Sequence, residues 1–213
     1  MQPTYQKQID GFFNIPAQPN LGMLINTVKE HHITTPRFLT RFNATLLHER
    51  SKYFWQREQW RLNTPIVYIS NIPKPRTLHV VPSTFVYDCS SVPMLPFIYL
   101  IFGRVGRRAS GLHDLYYRWS LLSRLKADQN FKEALIVSES RIKAYPMYAA
   151  VRLGGVLSQR DWYGCMDKYK CSGPGTFPIK CTSCHNYYKS GPIGEGYFSE
   201  FELTQPACGF YYI

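Results

Sequence analysis

The segments FVYDCSSVP (85–93), LHDLYYR (112–118) and KADQNF (126–131) bring three carboxylates and one imidazole into a single stretch of a largely apolar chain. A histidine with several carboxylates is a common donor set for metal ions and for acid–base catalysis. This stretch therefore predicts a candidate site, catalytic or metal-binding, around which the rest of the fold is arranged. Its four residues are Asp88, His113, Asp114 and Asp128.

Asp128 gives the reason to expect that these residues converge. A helix is predicted over 121–137, and Asp128 stands three positions from Leu125 and three from Phe131, within the apolar stripe. An ionised carboxylate that faces a core is costly unless it is paired, hydrogen-bonded or bound to a metal. The stripe consists of Leu121, Leu125, Phe131 and Leu135.

A preceding helix, predicted over 107–119, carries His113 and Asp114. Adjacent residues on a helix point about 100° apart, so one of the two can face Asp128 while the other flanks it. Two interpretations remain open: a metal or acid–base site, or a structural anchor in which Asp128 only holds a neighbouring helix. The partners available to such an anchor are His113, Arg118 and Arg152.

The composition is that of a globular, basic chain. Of its 213 residues, 45% are hydrophobic, 15% are aromatic and 18% are charged, which excludes a disordered protein. The net charge is +11, but the positive residues are scattered, so direct nucleic-acid recognition is not indicated. The N-terminus has no apolar signal region, and the run from Met94 to Phe102, read as a buried helix, is too short to span a bilayer. We expect folding in a cytoplasm and no transmembrane segment.

The first predicted segment, residues 1–58, combines an extended arm with a helix. Isolated apolar patches in residues 1–34 are too few to close a core, so we expect a partner to order this arm. An amphipathic helix then begins at Pro36, with Thr35 as its N-cap, and continues towards Phe54.

The second and third predicted segments differ in character. Residues 59–155 show short alternating strands first and helices afterwards, ending at Gly154–Gly155, which predicts an α+β core with a bundle-like helical half. Residues 156–213 form a loop-rich, cysteine-containing appendage. The spacing C-x5-C-x9-C-x2-C there is compatible with zinc or another divalent metal, with disulfides, or with free thiols. The four cysteines are Cys165, Cys171, Cys181 and Cys184.

Five motifs in the central segment, taken in order, resemble the phage- and prophage-borne family known as domain of unknown function 1353. Departures from its pattern flank the candidate site: Tyr87, Ser90 and Met94 stand where the family has Thr, Ala and Arg. The motifs are W-x-L…P-x-x-Y at 60–68, VP…D…SVP at 81–93, H-D-x-x-Y at 113–117, A-D-x-x-F at 127–131 and Y-x-A-V-R-x-x-G at 148–155.

The resemblance implies a phage context. We therefore expect a structural or accessory component of a phage particle, in the tail, baseplate or neck. It would be made in the host cytoplasm, reside in the virion, and contact other phage structural proteins through residues 1–34.

The alternative prediction is an enzyme, a metal-assisted or His/Asp hydrolase of cell-wall or lipid material that uses the four candidate residues. His113-Asp114 followed by Tyr117 is also similar to the secreted phospholipases A2, although this chain lacks their Gly-rich calcium loop and flanking cysteines.

Overall fold

The computed structural model describes residues 12–48, 59–72, 74, 76–88, 106–119, 122–157, 179–180, 187–188 and 209–212. Four helices lie in these ranges: α1 (Leu21–Glu30), α2 (Arg107–Trp119), α3 (Arg124–Ser138) and α4 (Arg141–Leu157). The strands are β1 (Arg37–Phe38), β2 (Ala44–His48), β3 (Gln59–Leu62), β4 (Ile66–Ser70), β5 (Thr77–Val81), β6 (Val86–Asp88), β7 (Ile179–Lys180), β8 (Tyr187–Tyr188) and β9 (Gly209–Tyr212).

The central sheet has the antiparallel order β1-β4-β5-β9 and is covered on both faces. Every residue of β4 and β5 is buried, because both strands read as nearly continuous apolar runs. Ile66 and Tyr68 join the core beneath α2 and α3, whereas Val67 and Ile69 join the core beneath α1. The predicted strands are confirmed, but both of their faces are buried, because successive side chains join two different cores.

Helix α1 forms the second core. Asn20 caps it through a 2.8 Å bond from the Met23 amide. Leu24 is wholly buried within this chain, and Phe12 packs against the core beneath α2 and α3. The prediction that the N-terminal arm lies away from the core is therefore wrong for residues 12–34, while residues 1–11 lie outside the described part. The α1 side chains that face the sheet are Leu21, Leu24, Ile25 and Val28.

The amphipathic helix predicted from Pro36 towards Phe54 is wrong for residues 36–48, which contain β1 and β2, and the rest of the predicted helix lies outside the described residues. Phe38, Phe42 and Leu46 recur every four positions, a spacing that places residues on one side of a strand as well as on one side of a helix. Strand β2 pairs with β3, and β3 pairs with β6, so this segment closes a second antiparallel sheet of order β2-β3-β6.

Helices α2, α3 and α4 lie in the later part of residues 59–155, where helices are predicted to follow the strands. Helix α3 begins later than expected, capped by Ser123, and its second residue, Leu125, is 47% exposed rather than part of the buried stripe. Phe131 and Leu135 are buried as predicted. Helix α4 continues past Gly154 and Gly155 to Leu157.

The α+β class is confirmed, with antiparallel sheets followed by helices. The central sheet takes β1 from residues 1–58, β4 and β5 from 59–155, and β9 from 156–213, so it crosses both predicted segment boundaries. None of the helices in the described ranges is long and apolar enough to cross a membrane, as expected. Cys165, Cys171, Cys181 and Cys184 and the run from Met94 to Phe102 lie outside the described residues.

Candidate functional site

His113 and Asp128 meet between α2 and α3, as their places on two adjacent helices predict. His113 Nε2 lies 2.9 Å from Asp128 Oδ1, a hydrogen-bond distance, and Asp128 is fully buried while His113 is 4% exposed. The prediction that these two side chains come into direct contact is confirmed. A buried carboxylate requires a charged partner, and Arg152 of α4 supplies it.

Two further hydrogen-bond donors and one nearby cation surround the Asp128 carboxylate. The Tyr117 hydroxyl donates to Oδ1 at 2.6 Å, and Arg152 Nη1 on α4 donates to Oδ2 at 2.8 Å. Arg124 Nε lies 3.8 Å from Oδ2, one helical turn before Asp128. Burial by itself raises the pKa of Asp128, but the hydrogen bonds from His113, Tyr117 and Arg152 outweigh it and lower the pKa below its usual range. The carboxylate is therefore ionised at neutral pH.

The His113 ring is fixed by packing as well as by this bond. Its centroid lies 4.1 Å from the Tyr117 ring and 4.9 Å from the Phe131 ring. Because an ionised carboxylate only accepts hydrogen bonds, Nε2 carries a proton and donates it to Asp128; in the neutral form of an imidazole so bonded, the lone pair is on Nδ1. Among the described residues Nδ1 has no hydrogen-bond partner. This arrangement is that of a base oriented by a carboxylate.

The two other predicted site residues, Asp114 and Asp88, are not shown in contact with the His113–Asp128 pair. Asp114 is half-buried on α2, rotated from His113 by one helix position. Asp88 ends β6 opposite Gln59 of β3, and its side chain lies outside the described part. Within the described ranges no three His, Cys, Asp or Glu side chains are grouped closely enough to hold a metal ion. The interaction shown is thus the His113–Asp128 pair, and a metal site involving Asp88 stays a prediction.

Three further side chains complete the site, and their sequence positions relate them to His113 or Asp128. They are Tyr117, Arg124 and Arg152. Tyr117 is one helical turn after His113, and Arg124 is one turn before Asp128, spacings that place each pair on one helix face. Arg152 is one of the three side chains that the sequence predicts as possible anchor partners of Asp128. Tyr117 and Arg152 are also the tyrosine and arginine of the H-D-x-x-Y and Y-x-A-V-R-x-x-G motifs.

A second buried polar network, centred on His79 of β5, was not predicted. His79 contacts the Thr77 hydroxyl at 2.6 Å through Nε2 and the Tyr116 hydroxyl through Nδ1. Asn130 of α3 lies 3.4 Å from Nε2 and donates to Ser70 Oγ at 2.9 Å. Complete burial lowers the pKa of His79 to about 3, so the ring is neutral at physiological pH.

Glu133 extends this network to the surface. Its carboxylate accepts from Ser70 Oγ at 2.5 Å and from the Tyr68 hydroxyl at 3.1 Å, which joins α3 to β4. Burial raises the pKa of Glu133, and the hydrogen bonds from Ser70 and Tyr68 offset part of that rise. The network fixes α3, and with it Asp128, against the central sheet.

The fold and the site define an α+β protein whose helical half is built around a buried, carboxylate-oriented histidine. Residues 60–151 match the family model described as "Protein of unknown function (DUF1353)", which confirms the family resemblance of the central segment. The match contains His113, Tyr117 and Asp128 and ends one residue before Arg152. No significant match was found among curated proteins or among solved structures.

Proposed function

We propose that this chain is a hydrolase in which His113 acts as a general base on water. The observation that carries the proposal is the 2.9 Å contact between His113 Nε2 and Asp128 Oδ1, which fixes the tautomer and points the basic nitrogen away from the carboxylate. Residues 12–34 pack within this chain, so they do not supply the partner-ordered arm that favoured a structural component.

The chemistry follows from where the proton resides. A water next to His113 gives a proton to Nδ1 as its oxygen attacks an ester or amide carbonyl, so a C–O bond forms and the ring becomes imidazolium. The ionised Asp128 stabilises that charge without taking the proton. When the tetrahedral intermediate collapses, Nδ1 returns the proton to the departing oxygen or nitrogen. The products are a carboxylic acid and an alcohol or amine.

Tyr117 and Arg152 are positioning residues in this scheme. Their bonds to Asp128 hold the carboxylate in one orientation and keep it ionised, because both stabilise the charged form. A carboxylate that is held in this way orients the imidazole more firmly than one free to rotate.

The test compares the full chain with His113→Asn on three substrates: p-nitrophenyl butyrate, vesicles of phosphatidylglycerol, and purified peptidoglycan. We expect hydrolysis of at least one substrate and a loss of about 100-fold or more in His113→Asn, the size typical of a missing general base. The matched control is His32→Asn, since His32 is exposed and has a φ of 45°, a conformation that Asn tolerates. Turnover that is equal in the wild type and His113→Asn would refute the assignment.

A structural component of a phage particle is the second candidate. It is favoured by the saturation of Asp128, whose two oxygens accept hydrogen bonds from side chains of α2 and α4, and by the resemblance of the central segment to a phage-borne family. Quantitative mass spectrometry of purified particles would test it. A fixed stoichiometry within the particle, with no hydrolysis by wild type on the three substrates, would favour this candidate over the hydrolase.

A further inference from the structure

The outer face of α4 is apolar although it faces solvent. Ile142 is 85% exposed, Leu153 is 69% exposed and Tyr145 is 56% exposed. Pro146 and Ala149 are also exposed. These five residues stand at i, i+3, i+4, i+7 and i+11, the spacing of a single stripe along a helix. We call them the α4 stripe.

The opposite face of α4 is apolar too, but it is buried. Ala144, Met147, Ala150 and Val151 pack into the core beneath α2 and α3. A helix with apolar residues on both faces is typically covered on both sides. The α4 stripe is therefore a candidate contact surface.

The charges beside the stripe identify the chemistry of that partner. Among residues 124–157 the basic side chains outnumber the acidic ones by six to three, and Asp128, one of the three acids, is buried and paired internally. Glu133 is turned towards Ser70, and Glu139 lies 3.5 Å from Lys143. The six basic residues are Arg124, Lys126, Lys132, Arg141, Lys143 and Arg152.

We propose that the α4 stripe docks on the surface of an anionic lipid bilayer. Exposed apolar side chains flanked by Arg and Lys are the features of a helix that lies in a membrane interface, where the apolar residues enter the acyl boundary and the cations meet lipid phosphates. Arg141 and Lys143 lie on opposite sides of the stripe, so the positive charge borders it on both flanks.

The stripe ends beside the candidate site. Leu153 follows Arg152, whose side chain holds Asp128 and whose carbonyl accepts a 2.7 Å bond from Arg124 Nη2. Leu125, which follows Arg124 on α3, is also an exposed apolar side chain, at 47%. The docking surface goes beyond the proposed hydrolase and does not require it. If both hold, the substrate is a lipid of the bilayer on which the protein rests.

Vesicle flotation with the full chain tests the docking. The vesicles contain phosphatidylcholine and phosphatidylglycerol in equal amounts, or phosphatidylcholine alone. We expect binding to the anionic vesicles that weakens as salt is raised, and at least about tenfold weaker binding when Ile142→Ser and Leu153→Ser are combined. Arg141→Gln with Lys143→Gln should weaken binding to the anionic vesicles. Leu47→Ser, at a 37% exposed position on β2, is the matched control and should bind like the wild type.

Three outcomes would overturn the proposal. They are a failure of the wild type to bind anionic vesicles, equal binding by the wild type and the Ile142→Ser/Leu153→Ser variant, and a wild-type dimer in light scattering that this variant converts to monomer. The last would assign the stripe to a second copy of the chain. His113→Asn is expected to bind vesicles like the wild type, so loss of hydrolysis and loss of docking are scored separately.

Discussion

Arg152 of α4 and Asp128 of α3 stand 24 positions apart in the chain, yet Arg152 Nη1 lies 2.8 Å from Asp128 Oδ2. The same carboxylate accepts bonds from His113 and Tyr117 of α2. One buried acid thus joins three consecutive helices. A catalytic role for His113 and a purely structural role of the cluster both depend on this acid. Measurements that separate stability from hydrolysis are therefore the informative ones.

Asp128→Asn is expected to lower the free energy of unfolding by about 3–5 kcal/mol, the usual cost of removing one partner from a buried ion pair. The amide keeps the shape of the side chain but leaves Arg152 without its counter-charge and His113 without an ionised acceptor. Urea denaturation measures the change. The control is Glu139→Gln, which removes a surface ion pair with Lys143, while the amide oxygen can still accept from the Gly106 amide, and should cost under about 1 kcal/mol. Equal costs for the two variants would show that the cluster does not hold the helices together.

The contribution of Asp128 should also depend on pH. Its pKa in the folded protein is lowered, so the unfolded chain takes up this proton at a higher pH than the folded chain does. The stabilisation is then fully present above about pH 4, the usual range of an unfolded Asp, and is lost as pH falls through the lower folded pKa. The difference in unfolding free energy between the wild type and Asp128→Asn should shrink over that acid range.

Glu133 provides a test of opposite sign. Burial raises its pKa, so the folded protein holds this proton to a higher pH than the unfolded chain does. The wild type should therefore lose stability relative to Glu133→Gln as pH rises through the folded pKa of Glu133. Denaturation series at several pH values would show it, and a difference that stays flat with pH would contradict the placement of Glu133 in the buried network.

The site pair could be predicted because it depends on helix periodicity alone. His113 and Asp128 lie on neighbouring helices whose faces are set by the sequence, and the energetic cost of an unpaired buried acid required a partner. The His79 network could not be predicted in this way. His79 interrupts the apolar pattern of β5, and a polar residue between Leu78 and Val80 normally faces water. In this fold α2 and α3 cover that face, which only tertiary structure reveals.

The N-terminal errors have a similar cause. Helix α1 carries four buried residues after the Asn20 cap, but it is too short to fold alone, and the sheet that covers it comes from residues further along the chain. Phe38, Phe42 and Leu46 fit a helix and a strand equally well, so pairing with β4 and β3 decided the structure.

His79 should remain neutral throughout the physiological range. Because burial lowers its pKa to about 3, its ring signals in NMR should not shift between pH 5 and pH 8. His79→Leu should lower the free energy of unfolding by about 1–3 kcal/mol, because hydrogen-bonding groups of its network lose a buried partner. A His79 ring that titrates near pH 6.5, the ordinary range of the side chain, would mean that water reaches this network.

The last prediction concerns α1, which decides whether the N-terminal segment belongs to the core. Leu24 is fully buried against the sheet face that contains Val67 and Val80. Leu24→Ala should lower the free energy of unfolding by about 2–5 kcal/mol, since the truncation removes apolar burial and leaves a cavity. Leu47→Ala, at a position 37% exposed on β2, is the matched control and should cost under about 1 kcal/mol. Deletion of residues 1–34 should unfold the chain, because that face of the sheet would be open to water. Two results together would instead indicate an arm that a partner orders. They are a deletion variant that stays soluble and unfolds cooperatively, and a loss of unfolding free energy in Leu24→Ala no greater than that in Leu47→Ala.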